Sequence, residues 1–266
     1  MTVGRPAALL AIAFLLTGCI GQRAAERPGE VELTVLAAAS LRDAVSRAAT
    51  GYQATHPGTQ LVISTDSSAA LATQIELGAP ADVFLSADRT NVERLVGAGL
   101  TTGEPVVFAG NDLTVIVPSG NAARVESPAD LARPGIAVIA AGDNVPISVY
   151  AADVIGKLAL EPGYPADFAA RYQRNIVSRE DNVRAVVTKV ELGEGDAGIV
   201  YATDAAASNA VDVVPIPDGA NVRVDYVGAI VAASPHQAAG AAFLEWLAGP
   251  EGQMVLGGFG FVAPAP

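Results

Sequence analysis

Short apolar runs alternate with amphipathic stretches from Val31 to the end of the chain. Short runs rich in Val, Ile and Leu predict buried strands, whereas apolar positions three or four residues apart predict helices. The predicted strands are residues 33–38, 60–65, 83–86, 113–118, 136–140, 198–201, 211–216 and 225–232. The predicted helices are residues 41–55, 69–77, 90–98, 147–158, 165–172, 182–192, 236–248 and a last one that begins near Pro250.

This alternation predicts an α/β fold, with parallel strands and helices on both faces of the sheets. One sheet could hold every strand, but residues 113–118 and 225–232 form long, uninterrupted runs rich in β-branched residues. We therefore predict two lobes, joined by crossover strands near residues 111–114 and 225–227. The predicted lobe I comprises residues 31–111 plus 227–266, and the predicted lobe II comprises residues 112–226.

Acidic residues outnumber basic ones, because 28 Asp and Glu against 16 Lys and Arg give a formal net charge of −12. Nucleic acids are bound through clustered Lys and Arg, so this composition excludes a nucleic-acid partner. The chain lacks the GxSxG, P-loop and HExxH motifs, and we expect no enzymatic activity and no cofactor. The GxGxxG match at residues 193–198 follows a predicted helix rather than a strand, so it indicates a helix end and a loop.

The N-terminus is typical of a secretion signal. Residues 1–18 combine Arg5 with an apolar stretch at 7–16, which is too short to span a bilayer comfortably. The following Leu-Thr-Gly-Cys resembles the lipobox of bacterial lipoproteins, in which cleavage precedes the cysteine and the thiol is lipidated. We therefore predict a protein secreted across the cytoplasmic membrane and anchored to its outer face through Cys19, with residues 19–30 as a tether. A plain signal peptide with a chance cysteine is the alternative.

Four junctions between a strand and a helix carry groups that could bind a ligand, since ligands of open α/β sheets bind beyond the carboxyl ends of strands. These groups are Ser40, the pair Ser67 and Ser68, the N–H of Ile147 after Pro146, and a helix start near Val183 after Asp181 and Asn182. A helix N-terminus carries about half a positive charge and unpaired N–H donors. Four of them in one cleft could hold an anion without Lys or Arg, although each one alone could be an ordinary helix cap.

Five segments of the chain resemble one protein family, in the order in which the family has them. They are VLAAASLRDA, DSSAALATQIELGAPADVFLSAD, DNVPISVYA, EDNVRAVVTKVELGEGDAGIVYATDA and FLEWLAGPEGQMVLGGFGF. The family is that of the molybdate-binding proteins of bacterial ABC transporters, which have the type II periplasmic-binding-protein fold. The resemblance extends from about Val31 to Phe261. It implies two lobes, each a central sheet with flanking helices, joined by two crossover strands.

The resemblance also implies a set of ligand-binding groups. The oxyanion site of this family uses two serines, two backbone amides and a tyrosine hydroxyl, which contact the oxygens of molybdate and not the metal. Carried over by motif, these groups are the side chains of Ser40, Ser68 and Tyr201 and the N–H groups of Ile147 and Val183. Two residues depart from the family pattern, because Asp66 precedes the serine pair and Ile147 is bulky. We expect Asp66 to point away from the anion, and a contribution from Ser67 stays open.

The implied function is capture of molybdate, with tungstate as an equivalent ligand, and delivery to an ABC transporter permease by a monomeric binding protein. A site made only of donors suits a fully deprotonated dianion, because the proton of hydrogen phosphate would lack an acceptor. Sulfate has the charge and shape of molybdate with shorter bonds, so only the cavity size separates the two. A sulfate-binding protein and a non-transport sensor domain of the same fold are the alternatives.

Overall fold

The computed structural model describes Met1 and residues 30–264. Apart from Met1, the predicted signal peptide lies outside these residues, as do the lipobox with Cys19 and most of the predicted tether. Among the described residues, none of the helices combines the length and the hydropathy that a membrane span requires.

The described part of the chain alternates strands and helices, as the hydrophobic pattern predicts. The strands are β1 (Val31–Ala38), β2 (Thr59–Asp66), β3 (Val83–Ser86), β4 (Thr101–Asn111), β5 (Leu113–Pro118), β6 (Val138–Ala141), β7 (Ile176–Glu180), β8 (Ala197–Tyr201), β9 (Val211–Val214) and β10 (Val224–Val231). The helices are α1 (Arg42–Thr55), α2 (Ser68–Glu76), α3 (Thr90–Gly97), α4 (Pro146–Leu158), α5 (Phe168–Asn175), α6 (Val183–Glu191), α7 (Ala202–Ala206), α8 (Gln237–Ala248) and α9 (Pro250–Gly258). Single 3₁₀ turns lie at Ala39–Leu41, before α1, and at Pro128–Ala132.

Within residues 30–264 the strands form two five-stranded sheets. The first has the order β2-β1-β3-β10-β4 and the second the order β7-β6-β8-β5-β9. In each sheet four strands run in the same direction, and the strand that follows a crossing between the sheets, β10 or β5, runs antiparallel to both of its neighbours. This confirms the predicted fold class of two lobes with central sheets and flanking helices.

The described chain crosses between the lobes twice. Strand β4 ends at Asn111 in the first sheet and β5 begins at Leu113 in the second, so the first crossing is at Asp112. The second crossing is the segment 215–223, between β9 and β10. Strand β10 therefore enters the first sheet at Val224, one residue before the start of the crossover that the sequence pattern predicts at 225–227. The predicted lobe boundaries at 111/112 and 226/227 stay predictions.

The sequence pattern misses strands β4 and β7, which both lie at a sheet edge. Strand β4 contains Gly103 and Pro105, and an edge strand tolerates a proline because one side of its backbone needs no ladder partner. Strand β7 has no fully buried residue, so it shows no apolar run. The predicted helix 165–172 is wrong in its bounds, since Pro165 lies in a turn whose carbonyl accepts the Phe168 N–H and α5 begins at Phe168. The hydrophobic pattern also misses helix α7, which directly follows β8.

Strands β3 and β8, the central strands of the two sheets, are buried at every position. Helix α6 packs closely on β8, because a Cβ atom at Gly198 would lie 2.9 Å from the Val186 side chain and 3.0 Å from the Ile139 carbonyl oxygen. Glycine at this position therefore allows α6 to approach the sheet. This packing sets the start of α6 beside the carboxyl end of β8, where the candidate site lies.

Candidate functional site

A small cavity with an empty volume of about 210 Å³ lies where the carboxyl ends of strands from both lobes meet. Its lining includes all five residues that the sequence singles out, namely Ser40, Ser68, Ile147, Val183 and Tyr201. The other lining residues are Ala38, Ala39, Ser67, Ala87, Val145, Pro146 and Asn182. No charged side chain occurs in this lining, so its polarity comes from hydroxyls, one amide and backbone groups.

Helices α2, α4 and α6 all begin at the cavity. The Ser67 hydroxyl oxygen accepts the Ala70 N–H at 3.3 Å and caps α2, while the Asn182 side chain accepts the Ala185 N–H at 3.1 Å and caps α6. Helix α4 starts with Pro146 and has no side-chain cap. The first N–H groups of an α-helix have no partner within the helix. The N–H groups of residue 147, second in α4, and of residue 183, first in α6, are therefore donors available to a ligand.

The two predicted serines each form a hydrogen bond with a group of the protein. The Ala87 N–H donates to the Ser68 hydroxyl oxygen at 2.9 Å, so the Ser68 proton is not needed for this bond. The Ser40 hydroxyl oxygen lies 2.9 Å from the hydroxyl of Tyr226, a buried residue of β10. A serine hydroxyl donates one proton and accepts up to two. Both serines can therefore keep these contacts and still donate a proton into the cavity.

Tyr201 ends strand β8 and is 1% exposed. Its hydroxyl has no hydrogen-bond partner among the described residues. Burial, and secondarily the neighbouring Tyr226, raise the pKa of the Tyr201 hydroxyl well above its usual value, so the group keeps its proton. A buried donor without an acceptor is energetically unfavourable. The Tyr201 hydroxyl is therefore a hydrogen-bond donor in the cavity for which the described residues provide no acceptor.

Asp66, which departs from the family pattern, is not part of the cavity lining. Its carboxylate accepts the Ser67 N–H at 2.7 Å and the side-chain amide of Asn182 at 3.4 Å. The second of these bonds links the two lobes. The carboxylate is thus engaged beside the cavity and is not part of its lining, while the expectation that it points away from a bound anion stays a prediction.

Arg184, in the first turn of α6, forms a second link between the lobes. It donates to the Asp43 carboxylate of α1 at 2.6 Å and lies 3.6 Å from the Asp204 carboxylate of α7. Asp204 is buried, and neither of its oxygens has a hydrogen-bond partner among the described residues. Burial raises the pKa of Asp204 to about 7, although the Arg184 charge acts in the opposite direction.

Sequence reasoning missed Tyr226, Arg184 and Asp204. Tyr226 lies inside a strand pattern, and Asp204 lies in a stretch for which the sequence analysis predicts no element. Their contacts, with Ser40 and Arg184, join residues that are distant in the sequence and leave no local signal in it. The described residues contain no group of three or more His, Cys, Asp or Glu that could hold a metal cation. The chemistry of the cavity is therefore that of neutral donors, which suit a small anion.

A family model described as bacterial extracellular solute-binding protein matches residues 33–262. The molybdate-binding protein ModA of Mycobacterium tuberculosis is 32% identical over 237 residues, which cover 89% of this chain and 86% of that protein. A Bacillus subtilis protein, provisionally named ABC transporter substrate-binding lipoprotein YvgL, is 30% identical over 259 residues, which cover 96% of either chain. These names describe binding proteins rather than enzymes.

Two solved structures have the same fold. The periplasmic molybdate-binding protein of Azotobacter vinelandii has a TM-score of 0.73 at 25% identity and covers 88% of this chain and 100% of its own. The sulfate-binding protein SubI of Mycobacterium tuberculosis has a TM-score of 0.79 at 23% identity, with coverages of 89% and 88%. The likeness to SubI shows the fold alone. Together with the match over residues 33–262, these findings confirm the predicted resemblance, and the chain belongs to the family of bacterial extracellular solute-binding proteins.

Proposed function

We propose that this protein captures molybdate outside the cytoplasm and delivers it to the permease of an ABC transporter. The observation that carries the proposal is the Tyr201 hydroxyl, a buried and unpartnered donor in the same small cavity as Ser40 and Ser68. We infer that these hydroxyls and the N–H groups of Ile147 and Val183 donate to the four oxygens of the anion. The names of the relatives at 30–32% identity support both the ligand and the transporter.

The size of the cavity argues for an inorganic ion. Pockets for organic ligands have volumes of about 300–1,000 Å³, whereas the space that a water-sized sphere can occupy in this cavity is about 10 Å³. The same space in an apolar groove between β4 and α8 is about 640 Å³, which is too large to fit closely around one oxyanion. The charge of a bound dianion would be offset in large part by the N-termini of α2, α4 and α6, since each carries about half a positive charge.

The chemistry of the donors argues for a fully deprotonated anion. Molybdate, tungstate and sulfate carry no proton near neutral pH, whereas hydrogen phosphate carries one that requires an acceptor. The proposed contacts to the anion are all donors, so hydrogen phosphate would leave a buried proton unpaired. We infer that tungstate binds like molybdate. Sulfate is the second candidate, and the named relatives at 32% identity favour molybdate over it.

The remaining parts of the proposal concern location and assembly. The matching family model is described as extracellular, which supports the proposal that this protein is secreted. Anchoring through a lipid at Cys19 rests on the lipobox-like sequence and on the lipoprotein name of the Bacillus subtilis relative, whose similarity covers 96% of the chain. We propose that the protein acts as a monomer, because the cavity is lined by residues of one chain.

Calorimetric titration of the purified protein with molybdate, tungstate, sulfate and phosphate tests the function. We expect tight binding of the first two anions, weaker binding of sulfate and no binding of phosphate. The variant Ser68→Ala should bind molybdate more weakly, whereas Ser46→Ala should not. Ser46 is a matched control because it lies on the exposed side of α1 and donates to the Arg42 carbonyl. Equal binding of phosphate and molybdate would contradict the proposal.

A further inference from the structure

A chain of hydrogen bonds leads from the first crossing between the lobes to Ser40. The Asp112 N–H donates to the side-chain carbonyl of Asn111 at 3.0 Å, which fixes the orientation of the Asn111 amide. The amide nitrogen then donates to the Thr203 hydroxyl at 2.8 Å and to the Tyr226 hydroxyl at 3.4 Å. The Tyr226 hydroxyl lies 2.9 Å from Ser40 Oγ. Asn111, Thr203 and Tyr226 are all buried, so water does not compete for these bonds.

The direction of the last bond follows from the groups around Tyr226. Asn111 Nδ2 can only donate, so it occupies a lone pair of the Tyr226 oxygen. Burial, followed by the nearby Asp204, raises the pKa of the Tyr226 hydroxyl well above its usual value, and the group keeps its proton. That proton needs an acceptor, and among the described residues the acceptor within hydrogen-bond distance is Ser40 Oγ. Tyr226 therefore donates and Ser40 accepts.

We propose that Tyr226 is a positioning residue that directs the Ser40 proton toward the bound oxyanion, and that Asn111 holds Tyr226 in this role. The inference rests on the proposed function, because it assigns Ser40 as a donor to the anion. Ser68 has a parallel arrangement, since the Ala87 N–H donates to its oxygen. The oxygen of each serine thus accepts a hydrogen bond from the protein, and the serine's own proton is left to donate to the ligand. A hydroxyl that accepts a hydrogen bond is also a stronger donor.

The variant Tyr226→Phe tests this role because it removes only the hydroxyl. The ring keeps its edge contacts, with centroids 5.2 Å from Phe261 and 6.3 Å from Phe108. We expect the dissociation constant for molybdate to rise about 3- to 10-fold, since the Ser40 donor loses polarisation and a fixed orientation but is still present. The matched control is Tyr52→Phe, which removes a hydroxyl from a buried tyrosine of α1 that does not line the cavity.

A double-mutant cycle with Ser40→Ala separates positioning from general structural damage. In the Ser40→Ala background, Tyr226→Phe should change the dissociation constant by less than about 2-fold, because no Ser40 proton is left to direct. Ser40→Ala alone should lower the melting temperature of the ligand-free protein by about 2–4 °C, since the buried Tyr226 proton loses its acceptor. Adding Tyr226→Phe should restore it, because no buried hydroxyl proton is then left without an acceptor. The affinities in the two backgrounds, and not this melting temperature, distinguish a positioning role from a merely structural one.

Wild-type titrations with molybdate and sulfate come first. If only sulfate binds, molybdate is the wrong ligand, and the cycle is measured with sulfate to test the positioning role of Tyr226 independently. If neither anion binds, both the proposed function and the positioning role are overturned. Equal losses from Tyr226→Phe in both backgrounds, or an unchanged dissociation constant in the wild-type background, would overturn the positioning role. If Tyr226→Phe does not fold, Asn111→Ala provides the second variant. Its loss of affinity should likewise disappear in the Ser40→Ala background.

Discussion

Replacing Tyr201 with phenylalanine keeps the ring and removes the one hydroxyl that the described protein leaves without a hydrogen bond in the cavity. The edge contact between the rings of Tyr201 and Tyr226, with centroids 5.7 Å apart, should survive. The variant therefore separates two roles for Tyr201, packing in the core and donation to the anion.

The size of the effect follows from the chemistry of the lost contact. A hydrogen bond from a neutral donor to a charged acceptor contributes about 1.5–3 kcal/mol, which corresponds to about a 10- to 150-fold change in dissociation constant. In the ligand-free protein the buried hydroxyl has no protein acceptor, so its removal should leave the melting temperature unchanged or raise it. Binding and stability should thus move in different directions.

Calorimetry and stopped-flow release of molybdate measure the first effect, and thermal unfolding without ligand measures the second. The loss should appear mainly as faster release, because most differences between related complexes lie in the dissociation rate. Tyr172→Phe is the control, since Tyr172 is a buried tyrosine of lobe II that does not line the cavity. If the release rates of wild type and Tyr201→Phe superimpose, Tyr201 is a packing residue and the assignment is refuted.

Three further outcomes are expected. Ser68→Ala should raise the dissociation constant for molybdate by about 10- to 150-fold in calorimetry, because it removes a donor to a charged ligand. The raised pKa of Asp204, about 7, means that its neutral form stabilises the fold below about pH 4 and that this stability is lost as the pH rises through 7. Asp204→Asn should therefore raise the free energy of unfolding by up to about 4 kcal/mol at pH 8 and change it little at pH 4, as urea denaturation can measure. Cys19→Ala should release the protein from membranes, and a variant that still sediments with them would contradict the lipid anchor.

Local signals in the sequence account for the position of the cavity. Ser67, Pro146 and Asn182 are residues that start helices, and the strands before them are short apolar runs, so the junctions could be read directly. The family resemblance then singled out Tyr201 among many similar hydroxyls. Residue spacing alone left each junction open to interpretation as an ordinary helix cap.

Contacts between distant parts of the chain account for what the sequence did not reveal. The bond between Ser40 and Tyr226 joins positions 186 residues apart, and the bond between Asn111 and Tyr226 spans 115 residues. No periodicity or cap pattern records such pairs. The same holds for the burial of Asp204, whose neighbour Arg184 comes from another helix. The strand β4 was missed for a different reason, since its edge position permits glycine and proline.

The acidity of the whole chain and the proposed affinity of its cavity for an anion are compatible because they act over different distances. The net charge of −12 is spread over the chain, and its field is screened beyond about 8 Å at physiological ionic strength. Under the proposal, the helix N-termini and hydroxyl protons of the cavity lie within hydrogen-bond distance of the anion, with no solvent between them to screen their charge. A cavity with Lys or Arg would attract any anion of the right charge. Neutral donors with fixed protons instead discriminate between anions by their size and protonation state. A molybdate-binding protein needs this discrimination, because sulfate differs from molybdate in size and hydrogen phosphate differs from it in protonation state.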